Sequence, residues 1–348
     1  MHSIKWLPPI RPRHLPVSNQ NSKRGILVVG SINSDWVVPL ARMPLGGETL
    51  EASPIQYYAG GKGANQAVAA ARMGACVRLM GRVGDDRHGQ QQLEALNQEG
   101  ILTSLVGVDD KCSTGTAIIL MEPEGQNRIL LIPGANHALQ PAWLASHDDV
   151  FRNAELMLVQ LELPNQVVEQ ALHLAKEHGA QVLLDPSPVR PLPEAWKGLV
   201  TYLTPNLIEL AGLTQEPLDA KSPTGQIHQA ALELCRQGFA KTVITKMGER
   251  GALMTTLKDS YHCAAPKVQA VDSTAAGDCF NGVFAAMLLE GCSDREAMKW
   301  AVRAASLSVT IQGAQPSMPH KVMLKVFGAG CVSSKTQAIN SELSSPEA

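Results

Sequence analysis

Ile26-Leu27-Val28-Val29-Gly30-Ser31-Ile32-Asn33-Ser34-Asp35 carries the fold class. Its first four residues are apolar without alternation, the pattern of a strand buried on both faces inside a helix-covered sheet. No G-x-G-x-x-G follows, which disfavours a dinucleotide fold of the usual kind. Working outward, Ala64 to Met73 is an alanine-rich helix closed by Gly74, Cys76 to Met80 a strand, and Gly89 to Glu99 a helix ending at Gly100. Leu156–Leu161, Gln166–His178, Val182–Asp185, Ile227–Gln237 and Thr242–Thr245 continue the alternation. The expected class is α/β, a doubly wound, mainly parallel sheet flanked by helices. Two segments interrupt it, about 36–58 and 104–132, and read as an antiparallel accessory sheet that covers the site.

The chain has 348 residues, 45% of them apolar, enough for one large domain. Thirty Lys and Arg against 32 Asp and Glu give a net charge of −2, with no bias toward nucleic acid or a membrane surface. That points to a small-molecule partner. Seven cysteines lie far apart with no C-x-x-C pair, which favours a reducing compartment without structural zinc, and so a cytoplasmic protein. No run approaches the roughly 18 to 20 apolar residues of a membrane helix. Residues 1–24 are basic, acid-free and broken by proline, and read as a disordered arm, with a transit peptide as the alternative. Residues 328–348 are polar and serine-rich and read as a disordered tail, leaving a body over 25–327.

Val271-Asp272-Ser273-Thr274-Ala275-Ala276-Gly277-Asp278 precedes a helix with a stripe at Phe280, Val283, Phe284, Met287 and Leu288, stopped at Gly291. Ala275, Ala276 and Gly277 are small, and the helix N-terminus behind them suits an anion. A carboxylate at Asp278 beside an anion site makes sense if a phosphoryl group is transferred and the carboxylate takes the proton of the attacking hydroxyl. The alternative is that Asp278 only complements the helix dipole.

Gly60-Gly61-Lys62-Gly63-Ala64-Asn65-Gln66 permits close backbone approach at another helix N-terminus, but Gly63 after Lys62 excludes a Walker A loop. A merely flexible loop is the bland reading. Asn33 and Asp35 follow a strand and suit hydroxyl groups, or else simply form a turn. Asn206-x-x-Glu209 is a capping-box pattern that could instead serve a hydrated Mg²⁺ or phosphates. Lys246-Met247-Gly248-Glu249-Arg250-Gly251 is a glycine-bounded turn after a strand, able to lie against a nucleotide.

Taken together and in order, Gly30 to Asp35, Gly60 to Gln66, Gln160-Leu161-Glu162, Thr204-Pro205-Asn206 with Glu209, Ala275 to Asp278 and Gly313-Ala314-Gln315-Pro316-Ser317 resemble the ribokinase (PfkB) family of sugar kinases. The resemblance spans about 25–327. It implies a doubly wound domain with a β-sheet lid, homodimers formed through the lid, ATP and Mg²⁺ as cofactors, and K⁺ as activator. Carried over, it makes Asp278 the general base and Ala275, Ala276 and Gly277 the anion hole. It places Asn33, Asp35, Gly61, Lys62, Asn65 and Glu162 on the sugar, and Asn206 with Glu209 on phosphates and Mg²⁺. Lys246, Met247, Gly248, Glu249, Arg250 and Gly251 fall to the nucleotide, and Asp272, Thr274, Ser308, Gly313 and Ser317 to the cation loops.

The sequence departs from the family in having Ser273 for the usual Thr, Lys246 where Thr is common, and no Asn near Val302-Arg303. The expected activity is phosphorylation of D-ribose to ribose 5-phosphate. The competing expectations are a kinase for 2-deoxyribose, another sugar or a nucleoside, and a sugar-binding sensor that has lost catalysis.

Overall fold

A computed structural model describes residues 25–123 and 127–329. The arm expected over 1–24 and the tail beyond 329 lie outside the described residues. The chain opens with β1 (Gly25–Val29), leaves for β2 (Asn33–Pro39) and β3 (Gln56–Gly60), and returns through α1 (Lys62–Arg72) to β4 (Val77–Gly84). Next come α2 (Arg87–Gln98), β5 (Leu102–Asp109), β6 (Gly115–Met121), β7 (Asn127–Ile132) and the short helices α3 (Pro141–Ala145) and α4 (Asp148–Arg152). β8 (Ala154–Gln160), α5 (Asn165–Glu177), β9 (Gln181–Asp185), β10 (Tyr202–Leu203), α6 (Leu207–Thr214), α7 (Thr224–Arg236) and β11 (Thr242–Lys246) follow. The antiparallel β12 (Ala252–Thr256) and β13 (Ser260–Cys263), then α8 (Ala276–Leu289), α9 (Asp294–Ser308) and α10 (Lys321–Ala329), complete it.

The large sheet runs β13-β12-β11-β10-β9-β8-β1-β4-β5. β1 shows why it needs helices on both sides. Ile26 and Val28 enter the core that includes Phe280, Val283 and Phe284 of α8, while Leu27 and Val29 enter the opposite core with Val167, Val168 and Ala171 of α5. Side-chain alternation therefore sends a continuous apolar run into two separate cores. α8 is buried on every side from Asp278 to Met287 and is no amphipathic surface helix.

The accessory sheet differs from expectation in two ways. Residues 104–109 belong to β5, which pairs parallel with β4 at the edge of the large sheet. They follow α2 as the returning strand of a βαβ crossover, and the half-exposed pattern that made them look accessory is that of an edge strand. The small sheet, β3-β2-β6-β7, is also not wholly antiparallel, because β2 and β6 run parallel from Asn33–Gly115 to Pro39–Met121. It begins at Asn33, so Asn33 and Asp35 lie on a strand of this lid and not in a turn.

α1 and α8 pack closely enough that a Cβ on Gly282 would lie 2.6 Å from Ala69 Cβ and 2.9 Å from Ala70 N, besides colliding with the Gln66 carbonyl oxygen. Gly282→Ala would gain about 1 kcal/mol of helix propensity, but two packed helices cannot step aside and overpacking costs about 1–3 kcal/mol. The net effect is expected to be a lower urea midpoint and reduced turnover, since Gln66 moves with α1. A midpoint equal to or above wild type would show that the helices separate freely.

Candidate active site

The cleft forms where strand order reverses: β4 and β5 lie to one side of β1, and β8 to β11 to the other. Such a switch point opens a crevice at the carboxyl ends of the strands. Ser31 lies just beyond β1, Gln160 ends β8 with Glu162 two residues on, Asp185 ends β9 and Lys246 ends β11. α1 and α8 both start in this crevice, where Gly63 N and Ala64 N of α1 donate to Ser31 Oγ and O, and Ala276 N of α8 donates to Ser273 O at 3.2 Å.

Asp278, in the first turn of α8, is buried at 5% exposure. Its Oδ2 accepts from Asn65 Nδ2 at 3.1 Å and its Oδ1 from Gln66 Nε2 at 3.0 Å. The second hydrogen of the Gln66 amide goes to Asp185 Oδ2, also at 3.0 Å. Gln160 Nε2 donates to Gln66 Oε1 at 2.7 Å, and Gln315 Nε2 to Asn65 Oδ1 at 3.3 Å, so neither amide that holds the carboxylate can turn over. Asp185 Oδ1 in turn meets Lys246 Nζ at 3.3 Å.

A second cluster lies toward the lid. Ser31 Oγ donates to Glu162 Oε2 at 2.5 Å, and Asn33 Nδ2 reaches the same oxygen at 3.4 Å. Asn136 Nδ2 donates to Asn33 Oδ1 at 2.7 Å, which fixes the Asn33 amide. Asp35 lies against Gly60 on the neighbouring strand, where any Cβ would collide with its carboxylate. Gly61 takes φ +91°, and a Cβ there would lie 2.6 Å from Asn33 N. Below the lid a cleft is lined by Asp35, Val37, Tyr58, Ile119 and Met121 on one side and Asp272, Thr274 and Gly313 on the other.

The electrostatics are those of crowded carboxylates. Burial pushes Asp35 up to about 7, helped by Glu162 and Asp278 and opposed by Lys62. Burial also raises Glu162, with Asp278 adding to it, against the Lys62 charge and the Ser31 hydrogen bond. Asp278 is raised by burial, and Asp185 adds to this, against Lys62 and the amides of Gln66 and Asn65. Burial would lower the Lys62 ammonium, but Asp278, Asp185, Glu162 and Glu209 together hold it above the ordinary lysine value. Lys62 is thus a charged centre among acids, and Asp278 is shifted toward the range useful to a base near neutrality.

The remaining sequence candidates fall into three groups. Asn206 and Glu209 form the capping box of α6, with Glu209 N to Asn206 Oδ1 at 2.8 Å and Asn206 N to Glu209 Oε2 at 2.7 Å. Lys246 to Gly251 is the turn of the β11–β12 hairpin, closed by Met247 N to Gly251 O at 2.8 Å. Glu249 sits in that turn, Gly248 takes φ +59°, and the Arg250 guanidinium is spent on Ala220 O, Ser222 O and Thr224 Oγ1. Asp272 joins two loops, accepting from Thr274 N at 2.9 Å and Gly313 N at 2.8 Å. Its carboxyl stays below the ordinary value because the Thr274 and Gly313 hydrogen bonds outweigh burial. Ser308 and Ser317 each donate to a carbonyl, Ala305 O at 2.9 Å and Ala314 O at 2.7 Å, leaving hydroxyl lone pairs for a cation. Ala275 adopts φ +58° at the N-cap of α8, unusual strain for a residue with a Cβ.

Sequence reasoning missed Gln66, Asp185, Gln160 and Asn136 as site residues. Asp185 carried a usable signal, since it ends an expected strand, where α/β sheets place ligands. Asn136 carried none; it comes from a short turn beside Gly134 and reaches the site only through the tertiary fold.

A family model described as pfkB family carbohydrate kinase matches residues 23–321. The chain is 35% identical over 340 residues to the ribokinase of Arabidopsis thaliana, covering 91% of this chain and 88% of that one. It is 38% identical over 295 residues to the deoxyribokinase of Salmonella typhi, covering 84% and 95%. The solved structure of Arabidopsis thaliana ribokinase complexed with ribose and ATP aligns with a TM-score of 0.82 at 34% identity, covering 88% of this chain and 98% of that one.

The Asp35 carboxyl gives a pH prediction. Because its pKa is raised on folding, to about 7, the native state binds more protons than the unfolded chain between about pH 4 and pH 7. Stability without ligand should therefore fall as pH rises through that window, by up to about 4 kcal/mol from this group alone. Urea unfolding at several pH values should show Asp35→Asn with a flatter profile and a higher midpoint at pH 8 than wild type. Parallel profiles would rule out the buried, raised carboxyl.

Proposed function

The chain belongs to the pfkB family of carbohydrate kinases, and from that premise we propose that Asp278 takes the proton of a sugar's primary hydroxyl as it attacks the γ-phosphorus of ATP. The activity is phosphorylation of ribose by ATP, supported by ribokinases about 35% identical across most of the chain and by the neighbour solved with ribose and ATP. The observation that carries the chemical reading is the Asp278 carboxylate, buried at the start of α8 and held by two amides from the start of α1. It can accept a proton while the N–H groups of Ala275 and Gly277, on either side of the Ala276 N–H that bonds Ser273 O at 3.2 Å, would receive the phosphoryl oxygens.

Asn33, Asp35, Gly61, Lys62, Asn65 and Glu162 would bind the sugar hydroxyls, acids and amides being the acceptors and donors that hydroxyls pair with. Asn206 and Glu209 fit Mg²⁺ in part: the capping box uses one oxygen of Glu209 and leaves Oε1 without a hydrogen bond, suited to a hydrated ion that also takes phosphate oxygens. When bound, Mg²⁺ neutralises the β- and γ-phosphates. The Asp272-tied loops, with Thr274, Ser308, Gly313 and Ser317, offer carboxylate, hydroxyl and carbonyl oxygens, a donor set that suits K⁺.

Ile129, Leu130 and Ile132 of β7, an edge strand of the lid, are exposed by 46% to 57%, and we assign this apolar edge to a homodimer through the lids. No helix among the described residues is long and apolar enough to cross a membrane, and their six cysteines are free, which suits a cytoplasmic enzyme. Identity to the deoxyribokinase is as high as to the ribokinases, so 2-deoxyribose is the second reading.

ADP release with Mg·ATP should be highest with ribose, against 2-deoxyribose, fructose and adenosine, and should rise with K⁺. Highest turnover on 2-deoxyribose would transfer the activity to that sugar. Asp278→Asn should lower kcat by about 10²–10⁴ while calorimetric ribose affinity stays within a few-fold. Near wild-type turnover in that variant would remove Asp278 as the base.

A further inference from the structure

We propose that Lys246 is a catalytic residue of the transfer: its ammonium leaves Asp185 for the γ-phosphoryl group and neutralises the charge on its oxygens in the transition state. This rests on the phosphoryl-transfer reading of the cleft. Lys246 ends β11, is anchored by its N–H to Pro205 O at 2.8 Å, and bridges Asn206 on the neighbouring chain segment. Its side chain is 14% exposed and its ammonium lies 3.3 Å from Asp185 Oδ1, the Asp185 side chain being 2% exposed. That ammonium is also at the anion hole: a Cβ on Gly277 would lie 3.3 Å from Lys246 Nζ. Glycine at 277 therefore keeps open the space between the ammonium and the first turn of α8.

The charge balance explains why a cation is needed there. Asp35, Glu162, Asp185 and Asp278 surround the cleft, and the ammoniums of Lys62 and Lys246 oppose them. An incoming triphosphate adds several negative charges to a site that already raises Asp35, Glu162 and Asp278. Lys62 stands among Asp278, Asp185 and Glu162, with Asp35 also within its reach. Lys246 brings a second ammonium to the first turn of α8, on the side of Gly277. Asp185 is not abandoned when Lys246 turns, because the Gln66 amide still donates to its other oxygen at 3.0 Å. The same amide bonds Asp278, so the ammonium and the base are three hydrogen bonds apart, through Asp185 and Gln66.

In the step itself the hydroxyl proton passes to Asp278 and the sugar oxygen forms a bond to the γ-phosphorus. The bond from that phosphorus to the bridging oxygen breaks, and ADP leaves with the electron pair. Lys246 exchanges no proton and stays an ammonium throughout. Its contribution is electrostatic, and it is realised only as charge moves in the transition state.

The test uses the full chain with ribose and Mg·ATP, comparing wild type, Lys246→Met, Lys246→Arg and Asp278→Asn. Lys246→Met should lower kcat about 10²–10³-fold, as loss of one transition-state donor does, with ribose Kd and KM for ATP within about threefold. Lys246→Arg should recover at least tenfold of that loss. Aluminium fluoride should tighten ADP binding in the presence of ribose in wild type and in Lys246→Arg, and fail to do so in Lys246→Met. A kcat within threefold of wild type with raised KM for ATP would reduce Lys246 to a ground-state nucleotide contact and overturn the proposal. A matched fall of thermal midpoint and ribose affinity in both Lys246 variants would make it a structural partner of Asp185 and overturn the proposal equally. If Asp278→Asn loses turnover while Lys246→Met keeps it, the kinase reading stands and only this proposal falls. If wild type fails to phosphorylate any sugar, the kinase reading falls first.

Discussion

A single amide, the side chain of Gln66, donates one hydrogen to Asp278 and the other to Asp185, and the rest of the cleft depends on where it stands. Two buried carboxylates that close to each other repel, and Asp185 adds to the raised proton affinity of Asp278. The amide moderates that repulsion without adding charge, and its own orientation is set by Gln160 from the end of β8. To bring it there, α1 must lie against both β1 and α8. Gly63 would place a Cβ 2.6 Å from Gly30 on one side, and Gly282 a Cβ 2.6 Å from Ala69 on the other. Small residues along α1 are therefore a requirement of the chemistry, imposed through the distance between backbones.

From that contact the division of labour follows. In the proposed reaction Asp278 and Asn65 would face the reacting hydroxyl, Lys62 with Glu162 and Asp35 the remainder of the sugar, and Asp185 with Lys246 the phosphoryl side. Helix N-termini supply fixed partial positive charge and the lysines supply full charge. Neither has to reorganise solvent when negative charge builds on the oxygen of the leaving ADP. Transfer chemistry of this kind asks for positioning and neutralisation more than for covalent participation.

How much of this could be read from the chain varies with the range of the interactions. β1 was legible because a continuous apolar run admits few placements, and the helix at Asp278 because its apolar stripe and its stop at Gly291 are local signals. The lid was legible only in outline. β5 and β6 both look like half-buried strands, and their assignment to different sheets depends on which neighbours they meet. Asn206 and Glu209 fitted two readings, and the capping-box hydrogen bonds realise the local one without removing Glu209 Oε1 from the cleft. Asp185 and Asn136 act through partners more than a hundred residues away, and no spacing rule reaches that far.

The excursion of β2 and β3 between β1 and α1 ties substrate capture to the lid itself. Alternation along β2 puts Asn33, Asp35 and Val37 on one face and Ser34 and Trp36 on the other. The first face meets Glu162 and the cleft. The second is held to the body by α2, where His88 Nδ1 lies 3.3 Å from Ser34 Oγ and its ring packs 5.4 Å from Trp36 and 6.0 Å from Tyr57. A strand is stiff along its length, so a lid movement that carried Asp35 away from the cleft would also pull Trp36 off His88. Binding at one face and anchorage at the other are two ends of the same rigid element, and opening the site must break aromatic contacts that lie outside it.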